Sequence, residues 1–554
     1  MQPGRLWRTL RWLKAVQIIG RIRFRLVRPK PDRNPPPSQR VGPAQRSGFS
    51  LWVRPAAREP SLLGPTRHSF LGVERDLAQI GWDGPALPLL WRYNQHYFDD
   101  LHATGAGQRR EWHRTLMERW IADNPPARGT GWAPYPVSLR IVNWIKWFLG
   151  GEAPQPTWLT SLAVQVRWLE RRLEWHLLGN HLFVNAKALV LAGLYFRGPE
   201  AARWLATGLG ILERELAEQI LADGGQFERS PMYHALALED LLDLLNVLHT
   251  QGGFCVDVSS GTSLLRLAAA LEPRASRMLH WLRCLSHPSG TLARFNDTAE
   301  GIAPPAMELE RYAAALGIVA APAPGEGVLP LQPSGYMRAT RGAAVALLDV
   351  APIGPDYLPG HAHADTLSFE LSVYGFELIV NRGTSVYGEG PRRQVERGTA
   401  AHSTVQVGSH DSSEVWSGFR VGRRARVRDV TAQGWTVSAT HDGYLHLPGR
   451  PLHHRSWQLE MQSLTVTDRV DPLPNGPCVA RFHLAPGLQC EPDGEGMFRV
   501  LHEGHVLARA SVRTGEGRLE SWQHARRFGE LVPATTLAVT LLAGHGEVRW
   551  SWTG

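Results

Sequence analysis

Cysteine and lysine are both scarce in this 554-residue chain. The four cysteines, Cys255, Cys284, Cys478 and Cys490, include no CxxC pair, which excludes a closely spaced structural zinc knuckle and leaves no disulfide framework. They read as small buried hydrophobes. The 60 lysines and arginines are almost all arginine and form no lysine-rich block, so no nucleic-acid partner is expected. Long apolar runs are missing too. The N-terminus, RLWRTLRWLKAVQIIGRIRFRL, is too charged to span a bilayer and lacks the apolar core and small-residue cleavage site of a secretory signal. It reads as a basic amphipathic helix, either docked on the body of the protein or making peripheral contact with an acidic membrane surface. Residues Pro29 to Pro60, rich in proline and arginine, read as an extended arm.

What is present is a globular composition, 43% hydrophobic, with length for two or three domains. The net charge of +9, carried by guanidinium groups, suits a polyanion bearing carboxylates or sulfates. Twenty-one tryptophans is a high count; most are expected in the core, while a carbohydrate cleft would use a few, since sugar rings stack on exposed indoles. From Trp91 the apolar spacing is three and four. REWHRTLMERWIAD, PVSLRIVNWIKWFLG, SLAVQVRWLERRLEWHLL, AARWLATGLGILERELAEQIL and ALALEDLLDLLNVLHTQG each predict a helix, and short breaks make them antiparallel hairpins. After APAPGEGVLPLQPSG the period becomes two. DTLSFELSVYGFELIV, HRSWQLEMQSLTVTDRV and CVARFHLAP predict strands of an antiparallel sandwich.

Chemistry-bearing residues concentrate in a few stretches. GHAHADTLSFEL sets His361, His363 and Asp365 at alternate positions ahead of an alternating strand. They share one face if the strand already starts there, and form a compact cluster at its mouth if a turn precedes it. GNHLFVNAKAL holds Asn180, His181 and Asn185 at a helix junction, where asparagine either caps the helix or donates to an oxyanion. DGGQFERSPMYH holds Glu228, Arg229, Tyr233 and His234 around a helix start at Ser230–Pro231. NQHYFDDL, with Asn94 and His96, and WAPYPVSLR mix aromatic and polar groups as a sugar groove does, and as helix caps do. FNDTAE reads as a turn. In NRGTSVYGEGPRRQVERGTAAHSTVQVG, Arg392, Arg393 and Arg397 read as a solvated basic loop or as one that returns His402 to the side of His361 and His363.

In this order, GNHLFVNAKAL, DGGQFERSPMYH, GHAHADTLSFEL and AHSTVQVG resemble the heparinase II/III polysaccharide lyases, over roughly Trp91 to Arg420. The resemblance implies an N-terminal α/α toroid, an incomplete barrel of helical hairpins, followed by a C-terminal antiparallel β-sandwich. The expected division is a basic helix and arm at 1–60, toroid at 61–325 and sandwich at 326–554. It implies a carbon–oxygen lyase that cleaves uronic-acid polysaccharides, glycosaminoglycan-like, alginate-like or exopolysaccharide, by β-elimination. Asn180 matches the asparagine that neutralises the uronate carboxylate, Tyr233 the general acid, and His361 the histidine that completes the acid–base set. His181, Arg229, His234, Asn94 and His96 are expected to bind substrate. A divalent metal, zinc or calcium, is implied in the sandwich at His363, Asn381 and His402. Asn381 stands in NRGT where the family commonly has an aspartate, and an amide brings no negative charge to an ion. No organic cofactor is implied, and the substrate class implies the periplasm or cell envelope.

Elimination requires removal of the C5 proton of a uronate and departure of the 4-linked oxygen, so a base, an acid and a group that neutralises the carboxylate are all needed. Tyrosine can fill both proton-transfer roles if positive surroundings, Arg229 among them, depress its pKa. Two readings compete. One is a non-catalytic polysaccharide-binding or exopolysaccharide-assembly protein on a lyase scaffold. The other is a glycoside hydrolase, which needs a carboxylate pair that these stretches do not present.

Overall fold

The computed structural model describes residues 3–40, 52–251 and 258–553. Cys255 and residues 41–51 of the expected arm lie outside the described residues. Two helices open the chain, α1 (Pro3–Leu10) and α2 (Ala15–Leu26). After an extended stretch and a small hairpin come two short helices, α3 (Leu77–Ile80) and α4 (Leu89–Asn94). The long ones follow: α5 (Arg110–Asp123), α6 (Pro134–Leu149), α7 (Pro156–Glu170), α8 (Gly179–Tyr195), α9 (Pro199–Gln219), α10 (Pro231–Gln251), α11 (Val258–Cys284) and α12 (Ala306–Ala315). No helix among the described residues is long and apolar enough to cross a membrane.

The helices form two layers. In α9 the buried positions fall on one stripe, including Trp204, Leu205, Gly208, Ile211, Leu212 and Leu216, while Arg203, Glu213 and Glu218 face solvent. This is the one-sided pattern of an outer helix. Its partner α8 is buried from Leu182 to Tyr195, as an inner helix must be. Inside the toroid a buried ionic cluster ties the inner helices. Lys146 of α6 and Lys187 of α8 both donate to Asp243 of α10, at 2.8 and 2.7 Å, and Tyr312 of α12 donates to its other oxygen at 3.0 Å. Two of the rare lysines are thus internal counter-ions.

One helix is shorter than its sequence pattern. SLAVQVRWLERRLEWHLL keeps apolar spacing to Leu178, but α7 ends at Glu170. Residues 171–178 turn instead, because Glu174, whose N–H donates to Asn185 Oδ1 at 2.9 Å, is held by the next helix.

The strands of the sandwich begin at Gly327 and form two antiparallel sheets, one of eight strands from Val427–Gln433 to Gln489–Pro492 and one of nine from Glu516–His524 to Gly327–Leu331. Phe369, Leu371, Trp457, Phe482 and Trp550 fill the space between them. The strand Ala344–Asp349 is buried on both faces. Ala344, Ala346 and Leu348 point into the sandwich, while Val345 and Leu347 meet Trp281 and Leu285 at the end of α11. Toroid and sandwich therefore share an apolar seam, and period-two alternation puts the two sets of side chains on opposite faces of one strand. Cys284 and Cys478 are buried in these cores, and Cys490 is half-buried at the edge.

The N-terminal arm lies across both halves. Arg5 and Arg8 pair with Glu414 of the sandwich, Lys14 with Glu218 of α9, and Arg167 of α7 donates to the carbonyls of Asn34 and Pro35 at 2.6 and 2.9 Å. Its helices are docked on the body of the protein.

Candidate active site

The loop carrying His361 runs ahead of the strand Phe369–Val373, so the single strand face through His361, His363 and Asp365 is not formed. Leu367 has a φ of 59°, which breaks an extended run, and the residues gather at the strand's mouth. Asp365 accepts the Asn296 N–H at 2.9 Å and is not part of the histidine cluster's hydrogen bonding; burial pushes its carboxyl up to about 6.

The organiser is Asp297, a residue the sequence presents only as part of a turn. Its fully buried carboxylate accepts His361 Nδ1–H at 2.9 Å and His363 Nε2–H at 2.8 Å. Both guanidinium ends of Arg393 also donate to it, one at 2.7 Å. Burial opposes the charge, yet Arg393 and the two imidazole N–H groups hold the carboxyl well below the usual carboxylate range. The loop is pinned to the toroid, since Ser230 Oγ donates to the Asp297 carbonyl at 2.5 Å and receives the Tyr233 N–H at 3.2 Å as the α10 cap. Arg393 and Arg397 lie on a short helix, α13 (Pro391–Arg397), and both are fully buried. Arg397 donates to the carbonyls of Ala362, Gly418 and Arg420. For Arg393 and Arg397 the solvated basic loop is therefore corrected to a buried clamp, while Arg392 is exposed.

Because an ionised Asp297 fixes the proton of His361 on Nδ1, Nε2 is left with a free lone pair. That nitrogen lies 3.7 Å from Glu228 Oε2. Burial pushes the Glu228 carboxyl up, partly offset by His361. The ring of Tyr233 stacks on His361 with centroids 3.8 Å apart, and its hydroxyl lies 3.2 Å from that of Tyr387. Tyr387 was hidden in the NRGTSVYGEG loop. Burial, then Tyr387, pushes the Tyr233 phenol well above its ordinary value. The expected depression by Arg229 does not occur, because that guanidinium donates to the Ser334 carbonyl at 2.8 Å.

Asn180 is the second residue of α8, and its N–H donates to Glu228. Gly179 before it has φ +54°, and a Cβ there would stand 2.3 Å from Leu358 Cδ2. The left-handed backbone at this helix start favours glycine. Next to Asn180, His181 Nδ1 lies 3.2 Å from Glu174 Oε1; burial disfavours its cation, but Glu174 raises its pKa above the ordinary imidazole value. His181 opens onto a cavity of about 390 Å³ lined also by Tyr93, Trp132, Trp168 and Arg172.

Asn180, His181 and His361 thus surround Glu228, and Tyr233 stacks on His361. Of the other expected substrate contacts, His234 and His96 have both ring nitrogens engaged. His234 is buried with Nε2 on the Met278 carbonyl at 2.9 Å and Nδ1 receiving the Gln226 N–H. His96 is buried with Nε2 on the Trp82 carbonyl and Nδ1 receiving Trp120 Nε1–H. Asn94 Nδ2 donates to Leu90 of its own helix at 2.8 Å. Arg229, with φ +62°, holds the turn into α10. His234 and His96 act as scaffold.

For a metal, the expected donors are His363, Asn381 and His402. His363 Nδ1 and both nitrogens of His402 are buried without hydrogen-bond partners, and the two rings lie 5.2 Å apart. Asn381 Oδ1 accepts the Ser403 N–H at 3.0 Å and keeps a second lone pair. Among the described residues no three histidine, cysteine or carboxylate side chains suffice alone. Two orphaned imidazoles and an amide fit an imidazole-binding ion such as zinc, and suit calcium poorly.

Comparison with known proteins follows the same seam. A model of the heparinase II/III N-terminus matches residues 101–303, and a model of the heparinase II/III-like C-terminal region matches 323–553. A heparin-sulfate lyase of Bacteroides stercoris is 26% identical over 312 residues, 52% of this chain and 45% of the relative. A heparin-sulfate lyase of Pedobacter heparinus is 31% identical over 153 residues, 26% of this chain and 23% of the relative. The matches span less than half the length of these curated relatives. Among solved structures, heparinase III superposes with a TM-score of 0.65 at 16% identity, covering 97% of this chain and 89% of that one. Heparan sulfate lyase HepC of Pedobacter heparinus gives 0.54 at 18% identity, covering 98% and 88%. The helical toroid followed by an antiparallel sandwich is therefore a shared fold, and with both of its family models matched in order over most of its length, this chain belongs to the heparinase II/III family.

Proposed function

We propose that this protein is a polysaccharide lyase that cleaves an acidic, uronate-containing polysaccharide by β-elimination. The observation that carries the reading is the stacking of Tyr233 on His361 at 3.8 Å, with Asn180 at the adjoining helix start. The amide of Asn180, the α8 N-terminus and a protonated His181 would neutralise the uronate carboxylate, so that the C5 proton becomes acidic. His361 Nε2 takes that proton. The resulting imidazolium is stabilised through Nδ1–H by Asp297, much as a carboxylate orients the histidine of a hydrolase triad. Electrons from the C5–H bond form the C4=C5 double bond, the C4–O bond breaks, and Tyr233 gives its proton to the departing oxygen. A phenol held above its ordinary pKa suits the acid and not the base. The aromatic cavity beside His181 would hold neighbouring sugars by stacking.

A zinc ion would be held by His363, His402 and Asn381, and would fix the position of the loop behind His361 by its charge and ligation. Asn381→Asp is expected to bind zinc at least about tenfold more tightly than the parent, by adding a charged ligand. In thermal melts the variant should fall below the parent in chelator and gain more from added zinc. An equal response of the two proteins would remove Asn381 from the ligand set.

The substrate class supports placement in the periplasm or cell envelope. A screen of heparan sulfate, hyaluronan, alginate and a bacterial exopolysaccharide, read by the absorbance of the new double bond, tests the activity. At least one polymer should yield unsaturated oligosaccharides. Binding with no unsaturated product from any of them would replace the lyase reading with that of a non-catalytic polysaccharide-binding protein.

A further inference from the structure

Helix α2 sits on the protein the wrong way round. Its only fully buried residue is Gln17, whose Nε2 donates to the Tyr357 carbonyl at 3.3 Å. Beside it on the same face are Gly20, where a Cβ would stand 2.9 Å from the His176 nitrogen, and Phe24, stacked on His176 at 4.2 Å with Arg172 over its other side. At 100° per residue, positions 17, 20 and 24 form one side of the helix, and 15, 19, 22 and 26 form the opposite side. Ile19, Ile22 and Leu26 therefore point away from the protein, 64%, 55% and 77% exposed, with Ile18 on the shoulder. Arg21 and Arg25 flank this apolar stripe on one side and Arg23 on the other, all exposed and without an ion pair among the described residues. Trp7 and Leu10 of α1 are also exposed. An ordinary amphipathic helix buries its aliphatic stripe against the core; this one buries a glutamine and a glycine and shows its isoleucines to the outside.

We infer that α1 and α2 dock the protein on an anionic lipid bilayer, lying in its interface without crossing it. The aliphatic stripe would enter the acyl boundary and the flanking arginines would meet anionic headgroups. Charge complementarity selects this occupant. Residues 3–31 carry nine arginines and lysines and no aspartate or glutamate, and after Arg5, Arg8 and Lys14 pair with Glu414 and Glu218 the remaining six still give the segment a positive face. A second copy joined across a two-fold axis would set that charge against itself. A soluble polysaccharide would pair with the arginines but gains nothing from a row of isoleucines and leucine. Because Phe24 and His176 also line the cavity beside His181, the docked helix stands at the lip of the groove. The inference concerns attachment and holds independently of the elimination chemistry.

Co-sedimentation of the full chain with vesicles tests it. The protein should sediment with phosphatidylcholine vesicles containing phosphatidylglycerol, stay in solution with pure phosphatidylcholine, and be released by salt. The Ile19→Glu/Ile22→Glu variant, altered only at exposed positions, should keep its circular dichroism spectrum and bind the mixed vesicles at least about tenfold more weakly. Arg23→Glu/Arg25→Glu should also weaken binding. Three results would each overturn the inference: wild-type protein left in the supernatant with anionic vesicles, a double isoleucine variant that sediments like wild type, or a wild-type dimer in light scattering that the isoleucine variant converts to monomer. Retention on soluble heparin that depends on Arg23 and Arg25, without vesicle binding, would likewise count against it.

Discussion

Tyr233→Phe is expected to lower kcat on a uronate polymer by about 10² to 10⁴-fold, the range that a positioned general acid contributes, with little change in KM. The substitution keeps the ring that stacks on His361 and removes only the hydroxyl bonded to Tyr387, so stability should change by no more than about 1 kcal/mol. The loss should depend on the leaving group. A synthetic uronate with a phenolate leaving group at C4 needs no proton at the departing oxygen, and the variant should turn it over nearly as fast as the parent. Because the phenol sits well above its ordinary pKa, Tyr233 stays protonated through the neutral and mildly alkaline range, and any alkaline fall in kcat there must come from another group. A raised KM with unchanged kcat would make Tyr233 a binding residue. An equal loss on both substrates would remove its role as the acid.

The same residues mark what a sequence can and cannot convey. Helices α5 and α9 are legible because their burial is set by their own 3.6-residue period. The sandwich is legible for the corresponding reason, as in Val345 and Leu347 alternating with Ala346 and Leu348. Asn180, Tyr233 and His361 are legible through motifs, because each sits where a local signal, a glycine-led helix start, a Ser-Pro cap or a glycine-led loop, coincides with a reactive side chain. His96 and His234 carry similar signals. What makes them scaffold is a distant carbonyl facing each ring, from Trp82 and from Met278, and no local pattern records that. Arg393 and Arg397 fail in the opposite direction. A run of arginines reads as solvated, yet carbonyls and a carboxylate from separate loops enclose both. The amphipathic pattern of the inverted helix α2 is plain in the sequence, and the pattern alone is silent on which face meets protein.

Asp297 is the extreme case, and its replacement should be the costliest change to the fold. Its partners come from sequence separations of 64 to 96 residues, which is why FNDTAE reads as an ordinary turn. Asp297→Ala would leave Arg393, fully buried, without a counter-ion, and breaking a buried pair from one side costs about 3–5 kcal/mol. The midpoint of urea unfolding should fall accordingly. His361 would lose the acceptor that fixes its proton on Nδ1, so lyase activity should fall with stability, and the two effects must be separated. Arg393→Met in the Asp297→Ala background removes the stranded cation and fills its space with an apolar chain, a change that is often neutral or better for a buried ion pair. The double variant should therefore regain much of the lost stability while remaining inactive, since His361 still lacks its orienting carboxylate. Recovery of activity along with stability would mean that Asp297 serves the fold alone. An Asp297→Ala protein that unfolds at the parent's urea midpoint would mean that Arg393 finds solvent or another anion when its partner is gone.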